Sequence, residues 1–184
     1  MVPNHLRIRA EKYLPLVRKY CGSYKLEIPL VMAIMQTESY FNPRAKSPAP
    51  AYGLMQLVPK SGAREAYKYI FKQDKIVRPS YLYIPENNVQ LGCAYLAKMR
   101  DNEFKEVNDS EKRRYCLIAS YNTGPGNLSW AITGNRDVKA AAGAINRMNK
   151  DRLFAKLKKD LPFAETRDYL EKVEKRRVIY MEWQ

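Results

Sequence analysis

The sequence predicts a mainly α-helical fold, and three observations support that class. Apolar residues recur at helical spacing through most of the 184-residue chain. Prolines divide the chain into helix-length segments. No pair of strand-like segments joined by a turn is visible. An apolar fraction of 46% is enough for a compact core at this length.

The periodic segments predict eight helices, in the order of the chain. They cover residues 6–20, 28–40, 60–71, 85–101, 110–122, 136–147, 150–159 and 162–181. Two irregular stretches, 42–59 and 72–84, contain many of the prolines and turn residues and are predicted to be loops. Functional groups are often carried on such loops.

The charge balance indicates an anionic partner. The chain has 33 lysines and arginines against 19 acidic residues, a net charge of +14. That charge fits nucleic acid, an anionic membrane surface or an acidic wall polymer, and does not choose among them. Charges or prolines interrupt every apolar run, so no membrane-spanning helix is predicted. The start, MVPNHLRIRAEK, has no signal-like apolar region, and we expect that any export signal or lipid anchor was removed or never present.

Cysteine and histidine usage excludes several kinds of catalytic site. Cys21, Cys93 and Cys116 have no metal-binding spacing, and buried thiols are the preferred interpretation, with one disulfide left open. His5 is the only histidine, near the N-terminus. A serine or cysteine nucleophile paired with histidine, or a histidine-based zinc site, is therefore not expected. General acid–base chemistry falls to carboxylates.

One carboxylate occupies an unusual place, in the segment IPLVMAIMQTESYFNPRA. Pro29 suits the first turn of a helix, and Pro43 disfavours helix just before it. Glu38 follows Ile34 by four residues and Val31 by seven, so it lies on the apolar face of this short helix. Glutamate is rarely placed there.

Three explanations of Glu38 remain open from the residues alone: a buried ion pair, an exposed helix end, or a catalytic acid. An apolar environment disfavours the carboxylate anion, and so does the negative end of the helix dipole. Both effects should raise the pKa of Glu38. A glutamate that stays protonated near neutral pH can donate a proton to a glycosidic oxygen.

Four motifs then follow in order: ESYFNPRAKSPAPAYGLMQLVP, NVQLGCAYL, ASYNTGPGN and LPFAETRDYL. The series resembles the lytic transglycosylases with a goose-lysozyme-like fold, over residues 28–182. The segment AAGAINRMNKDRLFAKLKKDLPFAETRDYLEKV further resembles the C type of membrane-bound lytic murein transglycosylase. The resemblance implies a lysozyme-like helical domain with a substrate groove. We expect residues 28–184 to form this catalytic domain, with residues 1–27 as a helical extension packed on it.

The resemblance also implies the site residues. Glu38 matches the sole acid/base of the family. The residues that match substrate-binding positions are Ser47, Gly53, Met55, Gln56, Tyr121, Asn122 and Tyr169. Two departures concern the sugar-binding wall: Val58 replaces a frequent methionine, and the loop SPAPAYG is rich in proline. Ser120 also replaces the alanine before the Tyr-Asn pair.

The mechanism that the resemblance implies needs a single carboxylate. Glu38 would protonate the oxygen between N-acetylmuramic acid and N-acetylglucosamine, and would then remove the proton from the muramoyl C6 hydroxyl. That hydroxyl attacks C1 and leaves a 1,6-anhydro end without consuming water. No metal or cofactor is required. The expected partner is peptidoglycan rather than nucleic acid, and the expected protein is a monomer in the bacterial cell envelope, periplasmic or associated with the outer membrane.

Two other functions fit parts of the sequence. A goose-type lysozyme would hydrolyse the same bond, although hydrolytic glycosidases usually need a second carboxylate and none is obvious near Glu38. A non-enzymatic basic module could bind wall polymer or nucleic acid through the net charge and the 14 tyrosines. No signature of a nucleic-acid-binding fold is visible, which disfavours the second alternative.

Overall fold

The computed structural model describes residues 4–183 and is helical throughout, apart from loops and turns. The ten α-helices of this part of the chain are α1 (Asn4–Tyr24), α2 (Ile28–Ser39), α3 (Gly62–Phe71), α4 (Pro79–Leu82), α5 (Pro85–Lys98), α6 (Ser110–Thr123), α7 (Pro125–Thr133), α8 (Val138–Arg147), α9 (Lys150–Asp160) and α10 (Ala164–Ile179). A π-helical turn, Met99–Glu103, extends α5, and a 3-10 turn, Met181–Trp183, follows α10. Extended pairing in the described residues is limited to isolated bridges of Tyr52 with Lys46 and Leu57.

The chain forms two compact units. The first contains the residues up to Ala97 together with those from Glu174 onward, and the second is Lys98–Val173. The expected boundary between an extension of 1–27 and a domain of 28–184 coincides with neither boundary between these units. That division stays a prediction.

In the first unit, α2 is the buried central helix. Every residue from Pro29 to Gln36 is buried, because α1 and the C-terminal 3-10 turn pack against it. The side chain of Tyr180 is fully buried, and its hydroxyl donates to Gln36 Oε1 over 2.9 Å. Arg177 forms an ion pair with Glu27, one residue before α2, at 2.9 Å. The C-terminal segment thus holds both ends of the catalytic candidate's helix.

Contacts between α1 and α5 complete this unit. Lys19 Nζ lies 2.6 Å from Glu86 Oε1, which also accepts from the Tyr20 hydroxyl at 3.1 Å. The Cys21 thiol and burial together raise the pKa of Cys93. All three cysteines are free and buried, as the sequence predicted.

In the second unit, α7 packs on both α6 and α8, and α9 packs on α6 and α7. Helix α6 begins after Asp109, whose side chain accepts from the Lys112 backbone N–H. Asp137 and Asn149 cap α8 and α9 in the same way. These caps explain why the three helices begin close to their predicted positions.

The predicted mainly α class is confirmed, and each of the eight predicted helices is present with small shifts at its ends. Two helices were missed. α4 has only four residues, too few for a periodic pattern. α7 was not predicted, because Gly124, Pro125 and Gly126 were interpreted as a loop. Pro125 instead lies in the first turn of the helix, where proline is favoured. Gly124, with φ of 86°, is the point at which α6 ends and α7 begins.

Among residues 4–183, every helix is too short or too polar to cross a bilayer.

Candidate active site

Glu38 lies in the last turn of α2, one residue before the helix ends at Ser39. Its side chain is half-buried, while the helix that carries it is buried from Pro29 to Gln36. The carboxyl group therefore stands where an apolar core helix reaches the surface. A fully exposed Glu38 side chain would have argued against a catalytic acid, and Glu38 is not fully exposed. The raised pKa expected for Glu38 stays a prediction.

The backbone after Glu38 turns sharply. Tyr40 and Phe41 both have left-handed backbone conformations, with φ of 50° and 61°. Such conformations are costly for residues other than glycine, and they cluster at functional sites. Phe41 is held in place by burial and by an edge contact with the Tyr180 ring, whose centroid is 6.3 Å away. Packing of the C-terminal segment thus stabilises the turn beside the acid.

The loop of Gly53, Leu54, Met55 and Gln56 is attached to the end of α2. The hydroxyl of Ser39, the residue after Glu38, donates to the Leu54 carbonyl oxygen over 2.7 Å. The Met35 carbonyl oxygen of the same helix lies 3.2 Å from this hydroxyl, farther than the Leu54 oxygen that accepts its proton. The ES motif and the GLMQ motif, which the sequence only placed in order, are therefore in direct contact.

One buried side chain, Asn88 of α5, fixes the same loop from the other side. Its Oδ1 accepts from the Met55 backbone N–H, and its Nδ2 donates to the carbonyls of Tyr52 and Leu82, each over 2.8 Å. Gly53 is required at this contact, since its φ is 78° and an added Cβ would lie 2.3 Å from the Leu82 oxygen. The first residue of the NVQLG motif, Asn88, thus holds the GLMQ loop in place.

The side chains of Met55 and Gln56 contribute to the loop itself. Met55 is fully buried, and a Cβ on Gly92 would lie 2.2 Å from its Sδ. Gln56 has a left-handed backbone, with φ of 47°. Its Nε2 donates to the carbonyls of Ala45 and Gly53. Both amide hydrogens of Gln56 are thereby directed to the backbone, and its Oε1 is the atom left to accept from a ligand.

Ser47 lies in the proline-rich loop and is half-buried. Its hydroxyl donates to the Ala49 carbonyl and accepts from the Ala51 backbone N–H, so it organises its own turn. These hydrogen bonds are those of a turn-forming serine, which is the alternative to a substrate-binding role for Ser47. A contact of Ser47 with substrate stays a prediction.

The other three predicted site residues belong to the second unit. Tyr121 and Asn122 are half-buried in the last turns of α6, and Tyr169 is buried on α10. Asn122 Oδ1 accepts from the Thr166 hydroxyl over 2.6 Å. Thr166 precedes Tyr169 by three residues, so both lie on one face of α10. The SYN and ETRDY motifs therefore meet within this unit.

Three residues of these networks were not selected from the sequence: Asn88, Thr166 and Tyr180. Asn88 and Thr166 lie inside the second and fourth motifs, and each is polar on a helix face that is otherwise apolar. That placement is the signal that could have identified them, because a buried polar group needs hydrogen-bond partners. Nothing in the local pattern around Tyr180 indicates its partner Gln36.

No group of three or more histidine, cysteine, aspartate or glutamate side chains within residues 4–183 is arranged to hold a metal ion.

Comparison with known proteins identifies relatives of this arrangement. The family model described as transglycosylase SLT domain matches residues 15–143. Membrane-bound lytic murein transglycosylase C of Pectobacterium atrosepticum is 42% identical over 173 residues, which are 94% of this chain and 48% of that protein. The protein of the same name from Yersinia pestis is 43% identical with the same coverage. The resemblance drawn from the four motifs is confirmed.

Solved structures agree with the fold. An inactive mutant of lytic transglycosylase Slt from Pseudomonas aeruginosa has a TM-score of 0.70 and 26% identity, over 92% of this chain and 24% of that one. The 70-kDa soluble lytic transglycosylase of Escherichia coli has a TM-score of 0.67 and 26% identity, over 93% and 24%. The predicted lysozyme-like helical class is confirmed. The chain spans about half the length of the curated relatives it matches.

Proposed function

The chain belongs to the transglycosylase SLT domain family, and on that premise we propose that it is a peptidoglycan lytic transglycosylase. The substrate is the glycan strand, and the bond cleaved joins N-acetylmuramic acid to N-acetylglucosamine. The product carries a 1,6-anhydro-muramoyl end. The names of the relatives, lytic murein transglycosylases, support this activity and this substrate.

One observation carries the proposal: the position of Glu38. It is half-buried at the end of a buried helix, and the next residue, Ser39, fixes the GLMQ loop through Leu54. Glu38 is partly removed from water, and the next residue of its helix is bonded to a preorganised loop. Both features suit a proton donor that acts on a bound sugar.

Glu38 first donates its proton to the glycosidic oxygen. The C1–O bond breaks, and N-acetylglucosamine leaves with a free C4 hydroxyl, while the substrate's own N-acetyl group assists at C1. The carboxylate then accepts the proton of the muramoyl C6 hydroxyl as that oxygen bonds to C1. The proton count of Glu38 is restored and no water is used, so one carboxylate performs both steps.

The remaining site residues bind the sugars in this proposal. Gln56 offers its Oε1 as acceptor, Ser47 and Tyr169 their hydroxyl groups, and Asn122 its amide. Tyr121 gives stacking surface. Met55 is fully buried, so its side chain packs beneath the loop instead of contacting a sugar as the resemblance implied. Gly53 allows another backbone segment to approach the loop closely.

We further propose that residues 28–184 form the catalytic domain, with residues 1–27 as a helical extension. The chain acts as a monomer on peptidoglycan rather than on nucleic acid, in the bacterial cell envelope, periplasmic or attached to the outer membrane. A lipid anchor upstream of these residues would agree with the relatives, which are called membrane-bound.

The experiment is digestion of purified sacculi followed by mass spectrometry of the products. Wild-type protein should release muropeptides with anhydro ends, lighter by one water than hydrolysed products. Glu38→Gln should abolish release and keep the circular dichroism spectrum and melting temperature of wild type. Glu11→Gln is the matched control, because Glu11 forms an exposed pair with Arg7 and lies outside the four motifs.

Two results would reject the proposal. Reducing-end products from wild type would make the protein a lysozyme-type hydrolase. Absence of release, with tight and salt-dependent binding to DNA, would make it a non-enzymatic basic module.

A further inference from the structure

A pocket of about 480 Å³ lies in the first unit, in the segment between the GLMQ loop and α5. Its lining includes Tyr67 of α3, Tyr81 of α4, and Lys75, Ile76, Arg78 and Ile84 of the connecting segments. The proposed reaction uses none of these residues. The size of the pocket is that of a small-molecule or peptide site.

Aromatic rings and exposed aliphatic side chains form the apolar part of the pocket. The ring of Tyr67 contacts those of Phe71 and Tyr81, with centroids 4.5 and 6.5 Å away. Ile76 and Ile84 are 51% and 50% exposed. Several large apolar side chains exposed side by side are unusual on a protein surface unless a ligand covers them.

The charged part of the pocket is entirely positive. Lys75 Nζ lies 5.5 Å from the Tyr67 ring centroid, and Arg78 is exposed. Within residues 4–183, no carboxylate forms an ion pair with either side chain. The nearest acid in sequence, Asp74, is held by Arg64 over 2.8 Å. The pocket therefore offers two uncompensated cations beside an apolar wall, which suits a ligand with carboxylates and apolar groups.

The pocket is connected to the GLMQ loop through Asn88. The carbonyl of Leu82, the residue after Tyr81 in α4, accepts from Asn88 Nδ2, and the Oδ1 of the same side chain accepts from the Met55 N–H. One buried amide thus fixes both the α4 wall of the pocket and the loop beside Glu38. A ligand in the pocket is bound to the same rigid group of residues as the loop.

We propose that this pocket binds the stem peptide of peptidoglycan. The stem is a short peptide with free carboxylates and alkyl side chains, and it is attached to the glycan that the loop beside Glu38 would bind. This assignment rests on the proposed function for its choice of ligand. Because the peptide is tethered to the sugar, occupation of the pocket raises the effective concentration of the glycan at the loop.

The first test is binding of a stem tetrapeptide, released from sacculi by an amidase, followed by NMR titration. Wild type should show saturable shifts of residues that line the pocket. Arg78→Glu should weaken binding about fivefold, as expected for loss of an exposed charge pair. The matched control is Arg152→Glu, since Arg152 is exposed in the first turn of α9 and the change in net charge is the same. It should bind as wild type does.

The second test compares kcat/KM on peptide-bearing glycan strands with kcat/KM on strands stripped by the amidase. Arg78→Glu and Ile76→Asp should lower the first value several-fold and leave the second unchanged. The ratio of the two kcat/KM values therefore measures the effect of peptide binding in the pocket. The value on stripped strands measures the reaction at Glu38 alone. Failure of wild type to cleave either substrate would reject the proposed function. The NMR titration would still show whether the pocket binds the peptide.

Three outcomes would overturn the assignment: no tetrapeptide binding to wild type, equal weakening by Arg78→Glu and Arg152→Glu, or shifts at these residues with anionic phospholipid vesicles but not with the peptide.

Discussion

Replacing Asn88 with alanine should destabilise the first unit by about 3 kcal/mol. The side chain makes three hydrogen bonds to backbone groups, each 2.8 Å long, and it is fully buried. Each bond contributes about 1 kcal/mol net, and the backbone groups left behind are shielded from water. A domain of this size has roughly 5–15 kcal/mol of stability, so the variant should still fold.

Asn88→Asp separates hydrogen bonding from volume, because the two side chains have almost the same shape. The aspartate keeps the acceptor for the Met55 N–H but directs an anionic oxygen at the carbonyls of Tyr52 and Leu82. It should therefore cost at least as much as alanine. Asn87→Ala is the control, since Asn87 makes one bond of 3.3 Å to the Tyr81 carbonyl and should cost less than about 1 kcal/mol.

Urea denaturation measures these free energies, provided that the slope with denaturant stays constant. Release of anhydro-muropeptides by each variant, below its unfolding transition, measures the effect on the loop beside Glu38. We expect Asn88→Ala to lose activity beyond the fraction that is unfolded. A stability of Asn88→Asp within about 0.5 kcal/mol of wild type would refute the role of Asn88 in fixing the loop, because one buried carboxylate oxygen would then face two carbonyl oxygens without a donor.

Three further variants test buried polar groups. Ser120→Ala should raise the free energy of unfolding by about 1 kcal/mol, because the Ser120 hydroxyl is buried without a partner among the described residues; a lower urea midpoint would contradict this. Tyr180→Phe should lower it by about 1–2 kcal/mol, because Gln36 Oε1 loses its donor in the core; an unchanged midpoint would show that the bond is not formed. Burial raises the pKa of Cys116 to about 12, whereas the thiol of an unfolded chain ionises at about pH 8.5. The stabilisation that the buried neutral thiol gives to the folded state is therefore fully present below about pH 8.5. As the pH rises from there to about 12, the free energy of unfolding falls by about 1.4 kcal/mol per pH unit. The stability difference between wild type and Cys116→Ala should follow this slope, and a constant difference would refute it.

Helices with strong periodicity or clear caps were predictable from sequence alone. α2 and α9 lie within one residue of their predicted bounds, since prolines, or a cap at Asn149, mark their ends. α7 was not predictable in the same way. Its first residues carry the breaker pattern Gly-Pro-Gly, and burial of Leu128 and Ile132 against neighbouring helices decides in favour of a helix. Such tertiary stabilisation is absent from local sequence statistics.

Glu38 could be selected as a candidate from the sequence, because a glutamate on an apolar helix face conflicts with ordinary patterning. The residues alone left a buried ion pair and an exposed helix end open beside a catalytic acid, and the four motifs favour the acid. Its catalytic role stays a prediction. The partners of the loop were harder to predict, because Asn88 and Gly53 are separated by 35 residues and the polar position of Asn88 on an apolar helix face does not indicate which backbone groups it binds. Only the contact itself explains why one must be an amide and the other must have no side chain.

Three of the five non-glycine residues with positive φ among the described residues lie near the end of α2 or in the loop bonded to it. Tyr40, Phe41 and Gln56 all have left-handed conformations, each costing on the order of 1 kcal/mol for a residue with a side chain. They lie on the turn after Glu38 and in the loop fixed by Ser39. Two hydrogen bonds of the Gln56 amide and the burial of Phe41 against Tyr180 offset that cost. A chain selected for stability alone would place glycine at these positions, so the strained residues are best explained by the need to hold a rigid turn and loop beside one carboxyl group.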